Sequence, residues 1–238
     1  MRRNIARALL LILFPLAGKP ANAVVGGELA DTTLKRYTVA VRSAKGWCSG
    51  VVLAQDIVLT AAHCTRDAQN LWVGGPRGWG DQFNPPVGLN PVTATVLHPR
   101  YNPNEHGSPD LALLKLAKPL PDRFVPASLG ARMPSKEDDL IATGYGESVP
   151  NDPAAGAVLR MVLLRVSVIY GGNLVLTSTR EETAGAGHGD SGGPVFTYHG
   201  LHPLVGILVG HSGSKTTAVS VASYYVWIKE EMEKLGGS

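Results

Sequence analysis

A serine surrounded by glycines is the most informative feature of the sequence. Ser191 lies in Gly189–Pro194, which reads Gly-Asp-Ser-Gly-Gly-Pro. Glycines let the backbone turn sharply and let a substrate backbone approach closely. A serine hydroxyl becomes a good nucleophile when a neighbouring base accepts its proton. Ser191 is therefore a candidate nucleophile.

Two groups upstream could activate this serine. His63 lies in Thr60–Cys64, directly after the apolar run Ile57–Leu59, and Asp110 opens the apolar run that ends at Leu116. A buried carboxylate is costly unless a donor satisfies it, and an imidazole N–H is such a donor. These residues are therefore a candidate base and its orienting acid.

Known families of serine hydrolases differ in the order of these groups along the chain. The pattern Gly-x-Ser-x-Gly around Ser191 also fits the nucleophile elbow of α/β-hydrolases, in which the acid and then the histidine follow the serine. The first acidic residue after Ser191 is Glu230, which follows every histidine, so that order fails. The Asp-His-Ser order of subtilisin could use Asp31 or Asp56, but the alternating helices of that fold are not indicated.

Short strands should position these groups. Apolar runs rich in Val, Ile, Leu and Thr recur between turn-forming clusters, and helical spacing appears only in Ser223–Leu235, with Ser223 as a candidate N-cap. This pattern predicts an all-β barrel or sandwich with one terminal helix. Gly74–Pro91 and Val149–Gly156 are expected to be surface loops. The predicted strands are Tyr37–Arg42, Gly50–Ala54, Ile57–Thr60, Val92–His98, Leu111–Leu116, Leu140–Thr143, Val158–Ile169, Leu204–Val209 and Thr216–Ala222.

Residues 1–23 have the features of a secretory signal peptide. A basic start, Met1–Arg7, precedes an apolar stretch, Ala8–Gly18, and the small residues of Ala21–Ala23 form a cleavage site. The apolar stretch is too short to cross a bilayer, which takes about 20 residues of helix. We therefore expect a secreted or periplasmic protein that starts at Val24 and has no membrane segment. A cut after Ala17, leaving a short propeptide, is the alternative.

The charge of the remaining chain excludes one class of function. The whole chain of 238 residues has 22 Lys+Arg against 19 Asp+Glu, but the first 23 residues hold four of the basic groups and no acid. The remainder is nearly neutral, whereas a nucleic-acid-binding protein needs a concentrated basic face. No nucleic-acid partner is expected.

Cys48 and Cys64 are the two cysteines of the chain. In an oxidising compartment such a pair most simply forms a disulfide. A zinc site that also uses His63 is the alternative, although the paired short spacings of structural zinc motifs are missing. We expect no metal and no cofactor.

The ordered motifs resemble the chymotrypsin-like (trypsin-fold) serine proteases. They are Val24–Gly27, the histidine, aspartate and serine motifs described above, and Gly144–Gly146, which looks like the Gly-aromatic-Gly element of that family. Cys48 and Cys64 lie where the family has its histidine-loop disulfide. The resemblance spans Val24 to the final helix. It implies one protease domain over residues 24–238, made of two packed antiparallel six-stranded β-barrels with a boundary near 125–135 and a C-terminal α-helix.

The resemblance also implies roles for individual residues. Ser191 would be the nucleophile, His63 the general base and Asp110 the residue that orients the histidine. The backbone N–H groups of Gly189 and Ser191 would form the oxyanion hole. The amine of Val24 would pair with Asp190. The expected protein is a monomeric secreted serine endopeptidase that acts on protein or peptide substrates.

The primary specificity pocket departs from the trypsin pattern. Gly185 occupies its base, where trypsin-like enzymes carry an Asp, so cleavage after Arg or Lys is not expected. Small or medium uncharged residues are the predicted preference. The alternatives are cleavage after acidic residues, a protease-fold binding protein, or an enzyme that needs a partner for activity. The predicted pocket residues are Gly185, Ala186, His188, Val209, Gly210, His211 and Thr216.

Overall fold

The computed structural model describes most of the chain downstream of the predicted signal peptide. The described residues are 27–44, 46–66, 70–75, 88–146, 158–180 and 184–237. The signal peptide, the predicted mature terminus Val24 and the predicted loop Val149–Gly156 lie outside them.

Within these ranges the chain is mainly β-structure with two α-helices. The helices are α1 (Thr32–Tyr37) and α2 (Tyr225–Lys234), and 3-10 turns cover Ala62–Cys64 and Ala222–Tyr224. The strands are β1 (Glu28–Leu29), β2 (Thr38–Ser43), β3 (Gly46–Ala54), β4 (Ile57–Thr60), β5 (Leu71–Gly74), β6 (Asn90–Leu97), β7 (Ala112–Leu116), β8 (Asp139–Gly144), β9 (Arg160–Tyr170), β10 (Asn173–Ser178), β11 (Pro194–Thr197), β12 (Leu204–Ser212) and β13 (Lys215–Ser220).

The first six-stranded barrel closes in the order β2-β3-β4-β7-β6-β5. All neighbouring strands are antiparallel, and the pairing of β2 with β5, for example Val41 with Val73, completes the ring. Full closure leaves no unpaired strand edge. Apolar side chains fill the interior, among them Val39, Val41, Val52, Val58 and Leu114.

The second barrel closes in the order β8-β9-β10-β13-β12-β11, with β8 pairing back onto β9. The short strand β1 adds to the outer edge of β9. Leu140, Leu164, Leu174, Val195 and Leu208 are among the residues of its core. The prediction of two packed antiparallel six-stranded barrels is confirmed. The segment 117–138 connects β7 of the first barrel to β8 of the second.

The terminal helix α2 follows the predicted periodicity but not the predicted cap. Ile228 and Met232 are buried in a cluster that also contains Ile57 and Leu113 of the first barrel. Ser223 lies inside the preceding 3-10 turn, and no side chain caps the helix, so the assignment of Ser223 as N-cap is wrong. Within the described residues, no helix has the length and apolar character that a bilayer crossing requires.

Helix α1 was not expected from the sequence. It has six residues and buries only Leu34, so its pattern is too short to show helical periodicity. Asp31 stabilises its start, since the carboxylate accepts a hydrogen bond from the Leu34 N–H at 2.8 Å. The helix delivers the chain into β2.

Candidate active site

A short turn after β4 positions His63. The 3-10 turn Ala62–Cys64 buries both of its end residues and leaves His63 exposed at the surface. The predicted disulfide joins Cys64 of this turn to Cys48 of β3, with a Cα–Cα separation of 6.1 Å. The histidine is therefore presented from a turn that is anchored at the barrel wall.

Asp110 holds His63 at two points. One carboxylate oxygen, Oδ1, accepts the His63 backbone N–H at 2.9 Å, and Oδ2 lies 2.6 Å from Nδ1 of the ring. The pairing of β4 with β7 places Thr60 opposite Ala112, which brings the end of one strand beside the start of the other. With Asp110 as its partner, Nδ1 carries a proton, and Nε2 of the neutral ring is left as the basic atom.

Ser191 is brought from the second barrel to the same turn. Its carbonyl oxygen accepts the Ser49 N–H at 2.8 Å and lies 3.7 Å from Cys64 Sγ. The same sulfur is 3.6 Å from Nε2 of His63. Within the described residues, the hydroxyl of Ser191 makes no hydrogen bond to His63. Such contacts are often long in the free enzyme and tighten when substrate is bound.

Asp190 is fully buried beside the candidate nucleophile. Its carboxylate accepts the N–H groups of Gly146 and Gly187, both at 2.8 Å. A Cβ on Gly146 would come within 2.6 Å of the Asp190 carboxylate, so the Gly-aromatic-Gly element is the wall that encloses this charge. The predicted partner, the amine of Val24, lies outside the described residues.

Gly189 has a backbone that only glycine adopts readily. Its φ is +90°, and an added Cβ would come within 2.6 Å of Trp47 Nε1. In the part of the chain that the structure describes, neither the Gly189 N–H nor the Ser191 N–H donates to a protein acceptor. Both donors are therefore available to a ligand.

The predicted pocket residues come together at one end of β12 and β13. Gly185 and Ala186 are buried. Thr216, also buried, accepts the Ala186 N–H at 3.0 Å through its hydroxyl. The register pairs Thr216 with His211 and places Gly210 opposite Thr217, so the segment Val209–His211 forms the adjoining wall.

Two histidine rings meet next to this pocket. The ring centroids of His188 and His211 are 5.5 Å apart in an edge-to-face arrangement. Both residues are exposed. Sequence reasoning assigned both to the pocket but did not predict that they would touch, because they are far apart along the chain.

A cleft of about 700 Å³ continues from His63 and Asp110. One side is the loop Tyr101–Ser108, and the other includes Tyr170, at the tip of the β9–β10 hairpin, and the Val209–His211 wall. Burial is the main cause that raises the pKa of Tyr101, and the charge of Asp110 adds to it. These loop residues were not predicted, because irregular loops carry no periodic signal.

The structure argues against the alternative of a zinc site at Cys48, His63 and Cys64. Ligand atoms of Cys48, His63 and Cys64 lie within 4.8 Å of one another. The two sulfurs are bonded to each other, so neither is the thiolate that zinc requires.

Comparison with known proteins agrees with this geometry. The family model described as Trypsin matches residues 24–228. The chain is 30% identical over 241 residues to Kallikrein 1-related peptidase b8 of Mus musculus. The aligned region covers 89% of this chain and 90% of the relative.

Two solved structures share the architecture. Neuropsin, a serine protease expressed in the limbic system of mouse brain, has a TM-score of 0.71 at 23% identity, covering 87% of this chain and 98% of its own. The scabies mite inactivated protease paralogue S-I1 also has a TM-score of 0.71, at 25% identity, covering 87% of this chain and 99% of its own. The chain therefore belongs to the trypsin family of chymotrypsin-like serine endopeptidases.

Proposed function

We propose that Ser191, His63 and Asp110 carry out peptide-bond hydrolysis in this endopeptidase. The observation that carries the proposal is the two-point contact between Asp110 and His63, which fixes both the position and the tautomer of the ring. Nε2 accepts the Ser191 proton as the hydroxyl attacks the scissile carbonyl, and the imidazolium then protonates the leaving amine. Water then attacks the acyl carbonyl as His63 removes its proton, and the imidazolium returns that proton to the Ser191 oxygen as the ester bond breaks.

The oxyanion of the tetrahedral intermediate binds the N–H groups of Gly189 and Ser191. This assignment is supported by the finding that, within the described residues, neither N–H group donates a hydrogen bond to a protein acceptor. Preorganised donors lower the barrier because they need no reorientation as the charge develops, and one such donor contributes about 3 kcal/mol to the transition state. No cofactor is needed for this chemistry.

The enzyme prefers a small or medium uncharged residue before the scissile bond. Gly185 brings no acid to the pocket base, and the Thr216 hydroxyl occupies space that a longer substrate side chain would need. A buried lysine or arginine head would have no carboxylate partner there, which is costly.

A second candidate specificity is an acidic residue at the same position. It is favoured by the contact between the exposed rings of His188 and His211, whose N–H groups are suitable hydrogen-bond donors to a carboxylate. Peptides that differ only in having Glu or Ala before the scissile bond distinguish the two specificities.

Activation and export are part of the proposal. The buried Asp190 carboxylate is a suitable partner for a chain-terminal amine, and we place Val24 there after removal of residues 1–23. The protein then acts as a secreted or periplasmic monomer over residues 24–238. N-terminal sequencing of the exported protein tests this, and a start before Val24 with activity gained on trimming would favour a propeptide instead.

The test of the catalytic proposal is a matched digestion. The secreted protein and its Ser191→Ala variant are incubated with a peptide library, and cleavage sites are identified by mass spectrometry at two pH values. Cuts that are absent from the variant establish Ser191 as the nucleophile, and the preceding residue gives the preference. If the wild type does not cut although it starts at Val24, a required partner or a binding role replaces catalysis.

A further inference from the structure

Ser49 connects the two barrels at the candidate active site. It lies in β3 of the first barrel and is fully buried. Its backbone N–H donates to the Ser191 carbonyl at 2.8 Å, and its hydroxyl donates to the Gly189 carbonyl at 3.0 Å. One residue of the first barrel therefore holds both ends of the segment that would supply the nucleophile and the oxyanion hole.

The direction of the hydroxyl proton follows from its two partners. The Tyr145 N–H donates to Ser49 Oγ at 2.9 Å, so the oxygen acts as acceptor on that side. A hydroxyl has one proton to give, and here it points to the Gly189 carbonyl. The chain of bonds runs from Tyr145 through Ser49 to Gly189, entirely among buried or half-buried groups.

The backbone of Ser49 is itself fixed in place. The Thr60 hydroxyl donates to the Ser49 carbonyl at 2.7 Å, and Ser49 pairs with Ala40 in the ladder between β2 and β3. A rigid strand therefore supports the hydroxyl. A group held this way can fix the orientation of a flexible glycine peptide beside it.

Gly189 needs such support because, without a side chain, its backbone dihedral angles are only weakly restricted. Its φ of +90° is one of several conformations open to a glycine. The Gly189 carbonyl and N–H belong to the two peptide groups that meet at its Cα, so a displaced carbonyl would shift this Cα and, with it, the N–H that would face a developing oxyanion. No disulfide braces this loop. Position 187, two residues before Gly189, is a glycine, and the two cysteines of the chain, Cys48 and Cys64, are joined to each other.

We propose that Ser49 is a positioning residue that holds Gly189 in the conformation that the oxyanion hole requires. This inference rests on the proposed function, because it assigns the Gly189 N–H to transition-state binding. The Ser49 hydroxyl does not touch substrate. It acts through the Gly189 carbonyl, so its loss should lower turnover more than substrate binding.

The experiment compares Ser49→Ala with a matched control, Thr38→Val. The Thr38 hydroxyl also bridges the barrels, 2.9 Å from the Thr143 hydroxyl, and it is equally buried, but it does not contact the loop Gly187–Ser191. Both variants lose a buried interbarrel hydrogen bond, so both should melt at a lower temperature. The kinetic constants are measured well below either melting temperature. The concentration of active sites is determined from the burst of product in the first turnover, and kcat is calculated from that concentration.

Ser49→Ala is expected to lower kcat by about 10- to 100-fold with KM within about twofold of wild type, in line with the cost of misplacing a catalytic group. A peptide aldehyde, which must place an oxyanion in the hole, should bind more weakly by a similar factor, while a noncovalent product peptide binds as before. Thr38→Val should keep wild-type kcat and aldehyde affinity.

Two results would overturn the proposal. One is a Ser49→Ala enzyme whose kcat and aldehyde affinity match those of Thr38→Val, and the other is a loss confined to KM. Should Ser49→Ala not fold, Ser49→Gly removes the same hydroxyl without adding volume, and wild-type kcat and aldehyde affinity in that variant would count equally against the role. Failure of the catalytic proposal is distinct, because wild type and Ser191→Ala would then be equally inactive.

Discussion

The Thr216 hydroxyl accepts a hydrogen bond from the Ala186 N–H at 3.0 Å and so joins β13 to the segment Gly185–Ala186, which we propose as the floor of the specificity pocket. The same oxygen would lie 2.9 Å from a Cβ on Gly185. Because Thr216 is fully buried and belongs to β13, the floor is set by a strand rather than by a mobile loop. We therefore expect the size of this side chain to limit the depth of the proposed pocket.

Replacing Thr216 by alanine should deepen the pocket. The Thr216→Ala variant loses a hydroxyl and a methyl group, so larger apolar residues such as Leu or Phe should gain in kcat/KM by about tenfold, the order expected for one or two extra buried carbons. Peptide substrates that differ only in the residue before the scissile bond measure this. Thr177→Ala, on the neighbouring strand β10 and not among the residues that line the cleft, serves as the control. An unchanged order of preference in Thr216→Ala would show that Thr216 does not limit the pocket.

The Asp110 carboxylate should control turnover through the tautomer of His63. In Asp110→Asn the amide nitrogen would donate to Nδ1, which moves the ring proton to Nε2 and leaves no base facing Ser191. We expect kcat to fall by about 10⁴-fold with little change in KM. Asp139→Asn, which removes an exposed carboxylate paired with Arg165, is the matched control and should retain full activity.

Comparable activity in the two asparagine variants would contradict the role of Asp110. A loss in Asp110→Asn that accompanies unfolding would be visible in its melting temperature. The side chain also accepts the His63 backbone N–H at 2.9 Å, and the asparagine oxygen can keep that bond. The fold around the turn should therefore survive the substitution.

Strand positions and the chemistry-bearing residues could be predicted because their signals are local. The run Ile57–Thr60 has apolar residues bounded by turns, and the structure gives β4 the same limits. β5 at Leu71–Gly74 and β11 at Pro194–Thr197 have the same length but were not predicted, because each includes a Gly or a Pro that is typical of the turns beside it. His63 and Ser191 stand out because their immediate neighbours are unusual, whatever the rest of the chain does.

Contacts between distant residues could not be predicted in the same way. Ser49 reads as an ordinary serine in an apolar strand, and its hydroxyl meets the Gly189 carbonyl across 140 positions of sequence. The edge-to-face contact of His188 with His211 likewise depends on barrel closure. Only the pairing of whole strands brings such groups together, and pairing is set by the complete barrel rather than by any one segment.

The disulfide should contribute measurably to stability. It closes a loop between Cys48 in β3 and Cys64 in the turn that carries His63, with a sequence separation of 16. In the chain-entropy model a loop of this length stabilises the fold by about 3 kcal/mol. We expect the double variant Cys48→Ala/Cys64→Ala to unfold at a lower urea concentration than wild type. Its free energy of unfolding should be smaller by about 3 kcal/mol. Wild type in excess reducing agent should approach the variant, and coincident curves without reductant would contradict the prediction.

His98 should make the stability of the protein depend on pH. Its ring is packed against Tyr224 and Trp227, with centroid distances of 5.0 and 4.7 Å, and Nδ1 accepts the Arg100 N–H at 3.2 Å. Burial, followed by the charge of Arg100, lowers the pKa of His98. The unfolded chain therefore takes up this proton at a higher pH than the folded protein does.

The stabilisation is complete above the unfolded pKa, about 6.5, and is lost as the pH falls from there toward the folded pKa. The contribution of one group is at most about 1.4 kcal/mol per pH unit. His98→Phe keeps an aromatic ring next to Trp227 but cannot titrate, so its unfolding free energy should fall less steeply than that of wild type between pH 7 and 5. Tyr224→Phe, which keeps both His98 and the aromatic ring packed against it, should keep the wild-type slope. If the free energy of unfolding has the same pH dependence in wild type and in His98→Phe, then His98 is not the group that makes the stability depend on pH.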